Sequence, residues 1–457
     1  MPFDGHMPMT MTSAEALSIY LAKIKDPAYP LEWDEIAGYL AEALDRAPTP
    51  KAKARKADAS EAGPLTAQAL AAALAAFSGL IDSRTRIMGL SMVRLHSAGG
   101  ILHIMGTDLD REHKTALTGC EMPDFDVLVA FDKLAKAVKG CTGAIGIEPE
   151  FTPLPEPKAP KVRGEHEEAF SVRVAVTCGG ARTVIPGMEA RFMPVMTMRP
   201  QASTMVDSAY LRDAFGFVQS AISTEETRYY LNGVFLRRET HAGESLTAFV
   251  ACDGHRLSVQ RGPDLEWGAS DQGLIDGVII PRLAVAWLLK NLPKSGELIM
   301  SVGADEKGAR LMSFCTDAGT FTTRLIDGSF PDYQRAIPCE AGASRLHFAD
   351  SKVNAARIAH IIGQADKGDK KAGIRLQAVG GILEAKIRTL DGGQASVTLD
   401  ALHEGPDVKI GANARYLLDV FDAGPVTITT TGEDCDPMLI TFAGRPDRTR
   451  VLMPLRV

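Results

Sequence analysis

Net positive charge, clustered cysteine, long apolar runs and catalytic signatures are what this chain of 457 residues lacks. Its 50 Lys+Arg stand against 57 Asp+Glu, a formal net charge of −7. A protein that grips nucleic acid over its whole surface is normally basic, so tight bulk binding is disfavoured, whereas a local basic lining on an acidic body is still allowed. The seven cysteines (Cys120, Cys141, Cys178, Cys252, Cys315, Cys339 and Cys435) are scattered, odd in number and form no C-x-x-C pair. That argues against a disulfide framework and for a reduced, cytoplasmic protein. The longest strongly apolar stretches, near 65–81 and 278–289, are shorter than the roughly 18 residues of a membrane span. The opening MPFDGHMPMT has no basic patch followed by an apolar core, so no secretory signal is expected. Phosphate-loop, HExxH, Cys/His metal and GxSxG patterns do not occur, so neither a cofactor nor a metal is expected.

What is present is an ordinary globular composition, 45% hydrophobic and 23% charged, at a length that suits about three domains. Residues 12–24 form a helix-like pattern with a capping box at Thr12 and Glu15, and a second short helix fits 32–45. APTPKAKARKADASEAGP (47–64) has linker composition. From residue 65 an internal repeat appears at intervals of about 140 residues, in the order of elements and not in identity. Three amphipathic helices follow the capping residues Thr66, Asp207 and Asp350. Second helices begin near Ala130, Pro281 and Asn413. Each unit closes on an Arg-containing strand, RTVIPG at 182, TRLIDG at 323 and TRVLMP at 449. Alternation marks strands in 245–261 and 436–444. Five prolines within 148–168 argue for a projecting loop there.

Four stretches, RYYLNGVF (228–235), ACDGHRLSV (251–259), RLIDGSFPDYQRAIP (324–338) and VLMPLRV (451–457), are similar to those of the bacterial β sliding clamps, the DNA polymerase III beta subunits. GTDLDREH (106–113) adds a weaker match, and the resemblance covers about 65–457. It implies an α+β fold of three repeated clamp domains, each with two helices packed on antiparallel sheets, forming half of a closed ring. The expected divisions are an extension and linker at 1–64, then domains at 65–200, 201–339 and 340–457. The implied partners are a second copy in a head-to-tail homodimer, duplex DNA without sequence preference, the replicative polymerase, a clamp loader and other proteins carrying clamp-binding peptides.

The resemblance also assigns residues. A peptide pocket is expected from Arg228, Tyr230, Gly254, His255, Arg256, Leu257, Pro331, Ala336, Val451, Met453, Pro454, Leu455 and Arg456. DNA contacts are expected from Arg84, Tyr229, Tyr230 and Arg282. Lys133, Lys136 and Lys139 share a helix face and join them, with Arg212, Lys290, Lys352 and Arg415 as further candidates. Ile361 and Ile362 are expected at the subunit interface. The chain departs from the family pattern at Cys252, Ala336, Leu455 and Val457, all apolar or small, which implies a reshaped pocket. Two other readings stand beside this one: a clamp encoded by a mobile element, or a decoy, serving a different polymerase; and a hydrolase using Asp253 and His255, which lacks a nucleophile or metal partner nearby in sequence.

Overall fold

The computed structural model describes residues 63–153, 170–241, 243–267, 277–338, 343–364, 372–388, 392–421, 424–433 and 435–457. The helical patterns at 12–24 and 32–45 and most of the Pro-rich segment lie outside them. No helix among the described residues is long and apolar enough to cross a membrane.

Among the described residues, six α-helices appear where the repeat places them: α1 (Ala67–Ala75), α2 (Phe131–Val138), α3 (Ser208–Val218), α4 (Arg282–Asn291), α5 (Ser351–Ile362) and α6 (Ala414–Phe421). The side chains of Thr66, Asp207 and Asp350 accept the backbone N–H three residues on, from Ala69, Tyr210 and Val353. Each thereby satisfies one of the donors a helix start leaves open. The first pattern continues apolar to Ile81, but α1 stops at Ala75 and the chain turns at Gly79, with φ of +88°.

The strands form three antiparallel sheets. The first has eleven strands in the order Ile145–Pro153, Phe170–Cys178, Ala181–Glu189, Phe125–Ala130, Met92–Ala98, Ile101–Thr107, Arg111–Thr118, Gly319–Arg324, Arg310–Thr316, Glu297–Ala304 and Arg199–Asp207. The second has nine: Val278–Pro281, Gly233–His241, Glu244–Cys252, Arg256–Pro263, Arg445–Leu452, Met438–Phe442, Val426–Thr430, Ser344–Phe348 and Leu402–Glu404. The third has four: Gln394–Leu399, Ile382–Arg388, Gly373–Val379 and Val408–Asn413. The projecting loop expected from residue 148 begins later, because 148–153 continue a strand. That strand is the sheet's edge, where Pro149 and Pro153 remove N–H groups that no second neighbour would use.

The repeat units are joined edge to edge. Arg111–Thr118 of the first pairs with Gly319–Arg324 of the second, Lys114 opposite Thr320. Arg256–Pro263 of the second pairs with Arg445–Leu452 of the third, Leu257 opposite Val451. The helices pack on the sheets, and one continuous apolar core runs beneath them.

Aromatic rings fill the first junction. Trp287 of α4 stacks on Phe321 at 4.0 Å between centroids and donates its indole N–H to the Ala76 carbonyl. The His113 ring lies 4.9 Å from Trp287 and 5.0 Å from Phe77. Burial pushes its pKa down from 6.5 to about 4. The unfolded chain therefore takes up a proton that the folded one refuses. This costs no stability above pH 6.5, and about 3 kcal/mol is lost progressively as pH falls toward 4. Thermal melts of the chain and of His113→Phe between pH 7 and 4.5 should converge at low pH, because the substitution removes this acid sensitivity.

Candidate peptide and DNA sites

The turn between Cys252 and Leu257 is built by one carboxylate. Asp253 Oδ1 accepts the N–H groups of His255 and Arg256, both at 2.9 Å, and Oδ2 accepts Arg256 Nε at 2.9 Å. Gly254 has φ of +86°, and a Cβ there would lie 2.5 Å from Arg228 Nη1. The conformation calls for glycine, and any side chain there would also displace the guanidinium above it. With its carboxylate consumed in this way, Asp253 is a turn-former and not an acid–base residue.

Arg256 reaches out of the turn to α6 of the third unit. Its Nη1 lies 2.5 Å from Asp419 Oδ2, and its guanidinium sits 4.0 Å from the centroid of the Tyr416 ring. The Met453 N–H donates to the His255 carbonyl at 2.8 Å, tying the segment after the last strand to the same turn. A shallow cleft lies between Arg256, Leu257, Tyr416, Asp419, Arg450 and Val451. Leu257 and Val451, each only 2% exposed, line it, whereas Met453 at 40% and Leu455 at 37% are exposed on the segment that follows the last strand.

The segment beyond Met453 crosses onto the third sheet. The Leu455 N–H donates to the Gly411 carbonyl at 2.9 Å, and the Arg375 guanidinium donates to the Val457 carbonyl. A Cβ at Gly411 would lie 2.0 Å from the Leu455 carbonyl oxygen, and one at Gly373 would lie 1.9 Å from Val457 Cγ1. These two positions form a seat that only glycine leaves open.

The segment carrying Pro331 and Ala336 is pinned from below. Tyr333 donates its hydroxyl to Glu239 Oε2, Gln334 Nε2 reaches the same oxygen at 3.2 Å, and Arg261 Nε holds Oε1 at 2.8 Å. Phe330 stacks on Phe235 at 4.7 Å. Burial works against the Glu239 charge, but these donors outweigh it and hold its carboxyl below the usual range. Tyr230 packs with Leu257 and Val451 in one apolar cluster. The structure therefore gathers Arg228, Tyr230, Gly254, His255, Arg256, Leu257, Val451 and Met453 around one turn. Pro331 and Ala336 are exposed on the pinned segment, Pro454 is half-buried and Arg456 is exposed.

The expected DNA residues divide into two groups. Lys133, Lys136, Lys139, Arg282 and Tyr229 are exposed, the tyrosine meeting Tyr230 edge to face at 5.8 Å. Lys136 pairs with Asp132 at 3.7 Å, and Arg84, 89% exposed at the side chain, lies 3.2 Å from Asp82. Lys352 and Arg415 are exposed too. Arg212 is committed elsewhere: its Nη1 donates to the Leu289 and Leu292 carbonyls at 2.7 and 2.8 Å, closing the end of α4. Lys290 donates to the Ser78 carbonyl at 3.1 Å, across the first junction. Ile361 is 2% exposed in the core and Ile362 half-buried at its border, so Ile362 is the residue of the two with surface to offer a partner. Sequence reading missed Tyr416, Asp419, Arg450 and Glu239. The first two lie on one face of α6 at i and i+3, a signal that gains meaning only once Arg256 is known to face them.

A family profile described as "DNA polymerase III beta subunit, central domain" matches residues 205–332. The beta sliding clamp of Caulobacter vibrioides is 29% identical over 393 residues, covering 85% of this chain and 98% of the relative. That of Escherichia coli is 28% identical over 393 residues, covering 83% and 95%. The crystal structure of the Caulobacter crescentus clamp superposes with a TM-score of 0.72 at 27% identity, over 86% of this chain and 98% of that one. Over most of its length this chain is thus similar, in sequence and in fold, to the bacterial β sliding clamps.

Proposed function

We propose that this protein is a DNA sliding clamp that encircles duplex DNA and tethers the replicative polymerase. The family is one of non-catalytic processivity factors. The observation that carries the ring reading is the way its units join. Two junctions already continue a sheet by antiparallel pairing of equivalent edges. Two such edges have no strand partner among the described residues: Gln394–Leu399, and Ala181–Pro186 on the side away from Phe170–Cys178. A second copy placed head to tail pairs each with the other, so units 65–200, 201–339 and 340–457 taken twice close a ring. The register of the first junction, carried over, sets Ser396 opposite Arg182 and Gly393 opposite Ile185. Light scattering on the purified chain should give twice 49.0 kDa, and a monomer at micromolar concentration would rule the ring out. Long synthesis on primed circular DNA with a clamp loader and polymerase then tests the activity.

The exposed cations on α2 and at the start of α4 suit contact with phosphates and not with bases, as a sliding protein needs. Binding to duplex should be weak, indifferent to sequence and strongly salt-dependent. Lys136→Glu with Arg282→Glu should shorten retention on circular DNA at unchanged melting temperature. The cleft between Arg256, Tyr416 and the 451–457 segment suits a short apolar peptide, with Met453 and Leu455 as adaptable contacts. Polymerase, loader and other replication proteins are the partners this reading gives it, in the cytoplasm.

A further inference from the structure

Two cysteines far apart in sequence meet at one end of the first unit. Cys141 stands in the connection that leaves α2, and Cys178 is the last residue of the strand Phe170–Cys178, on which α2 packs. Cys178 lies opposite Ile145 in the ladder, and both are buried in the core. Its Sγ is 3.8 Å from the carbonyl oxygen of Thr142, the residue directly after Cys141. The Cys141 thiol donates to the Ala137 carbonyl at 3.1 Å. Hydrogen bonding with the Cys178 thiol, and burial after it, raises the Cys141 pKa. The two sulfur atoms are therefore neighbours, and both are free thiols. The sulfur atoms of Cys120, Cys315 and Cys435 instead meet carbonyl, hydroxyl and carboxylate oxygens.

The backbone around Cys141 can adjust. Gly140 and Gly143 flank Cys141 and Thr142 with φ of +84° and +80°, and a Cβ at either would meet nothing within 4 Å. The connection is thus free to draw two sulfurs in contact to the roughly 2.05 Å of a bond. Its far end is held to the start of α1, by the Ala67 N–H on the Gly143 carbonyl at 2.9 Å and the Ile145 N–H on the Leu65 carbonyl at 2.8 Å. The two thiols also differ in access. Cys141 is half-buried and Cys178 is buried, so a small oxidant reaches Cys141 first.

We propose that Cys141 and Cys178 are a redox pair: a peroxide oxidises Cys141, and Cys178 resolves it to a reversible disulfide that fastens the end of α2 to the neighbouring hairpin. The Cys141 sulfur takes one peroxide oxygen, giving a sulfenic acid and one water. The Cys178 sulfur then attacks that sulfur. The S–S bond forms, the S–OH bond breaks, and the hydroxyl leaves as a second water with the Cys178 proton. The pair gives two electrons to one peroxide, and two electrons from a reducing dithiol restore it. Its raised pKa keeps Cys141 a thiol at neutral pH, so the pair rests reduced until peroxide accumulates. A transient bond of this kind is the form that disulfides take in a reducing compartment. The bond would join the connection just beyond the exposed Lys139 to the hairpin whose second strand is Ala181–Glu189.

The test treats the full-length protein with hydrogen peroxide, blocks the remaining thiols with N-ethylmaleimide and digests it without reductant for mass spectrometry. The expected product is a pair of peptides joined through Cys141 and Cys178, lighter by about two mass units than the two thiol peptides together and lost on adding dithiothreitol. In Cys178→Ser, Cys141 has no resolving thiol and should advance to a sulfinic acid that dithiothreitol does not reverse. Cys141→Ser, at the more accessible position, should leave Cys178 a thiol at the same dose, and it keeps the test decisive if Cys178→Ser does not fold. Hydrogen exchange reads the fastening: amides of 141–145 should exchange on the order of tenfold more slowly in the oxidised chain and recover with reductant. Two intact thiols at a dose that oxidises the exposed Cys435 would overturn the proposal, as would sulfinic acid at Cys141 beside a free Cys178 in the natural chain. Exchange at 141–145 that is the same in both states would overturn the fastening.

Discussion

Removing Met453–Val457 should abolish binding of a polymerase-derived clamp peptide and, with it, processive synthesis, while leaving the expected dimer intact. Leu257 and Val451, which line the cleft, survive the deletion, but both are nearly sealed from solvent and offer a peptide little area. The exposed apolar side chains of this segment are Met453 and Leu455, and both go. A few anchors carry most of the affinity of such an interface, so losing two costs at least about 2 kcal/mol, or roughly thirty-fold in Kd. Fluorescence anisotropy with the labelled peptide reads the affinity, and light scattering reads the dimer. The matched control is Lys136→Glu, which impairs DNA retention and leaves peptide affinity unchanged. Unaltered affinity after the deletion would show that the cleft is not the peptide site.

The second large effect is on stability. Glu239→Ala leaves the Arg261 guanidinium, whose side chain is 10% exposed, facing an empty acceptor site, and removes the partner of Tyr333. Breaking a buried pair by deleting one member costs about 3–5 kcal/mol, against about 1 kcal/mol for the neutral hydrogen bond lost in Tyr333→Phe. Urea unfolding of the two variants should separate them by that margin. The sign with pH follows from the lowered Glu239 carboxyl: its contribution is present above pH 4.5, the unfolded value, and is lost as pH falls below it. Equal midpoints for Glu239→Ala and Tyr333→Phe would mean that Arg261 finds another acceptor.

The parts of the fold legible in the sequence were those fixed by local chemistry. Thr66, Asp207 and Asp350 mark helix starts because a short polar side chain bonds a backbone N–H three residues away, and each does so. The Asp-Gly-His-Arg turn was readable for the same reason. Tertiary commitments were not. Arg212 sits on a helix like the other cations expected to face DNA, but its guanidinium closes the end of α4, a carbonyl cluster some 80 positions on in the chain. Glu239 reads as one charge in a strand, RRETH, and only the paired strands bring Arg261 and Tyr333 to it. The strand at 148–153 was missed because proline argues against strands in general, and only sheet order reveals which strand is an edge.

The glycine seat beneath the 453–457 segment places an inherited constraint far from the cleft it serves. Alanine at Gly373 or Gly411 would occupy space now held by Val457 or by the Leu455 carbonyl, so the segment would have to lift. A mutation some 40 or 80 positions upstream would then silence peptide capture without touching a capturing residue. Among descendants of this sequence, those two glycines and the terminal apolar residues are therefore expected to change together or not at all.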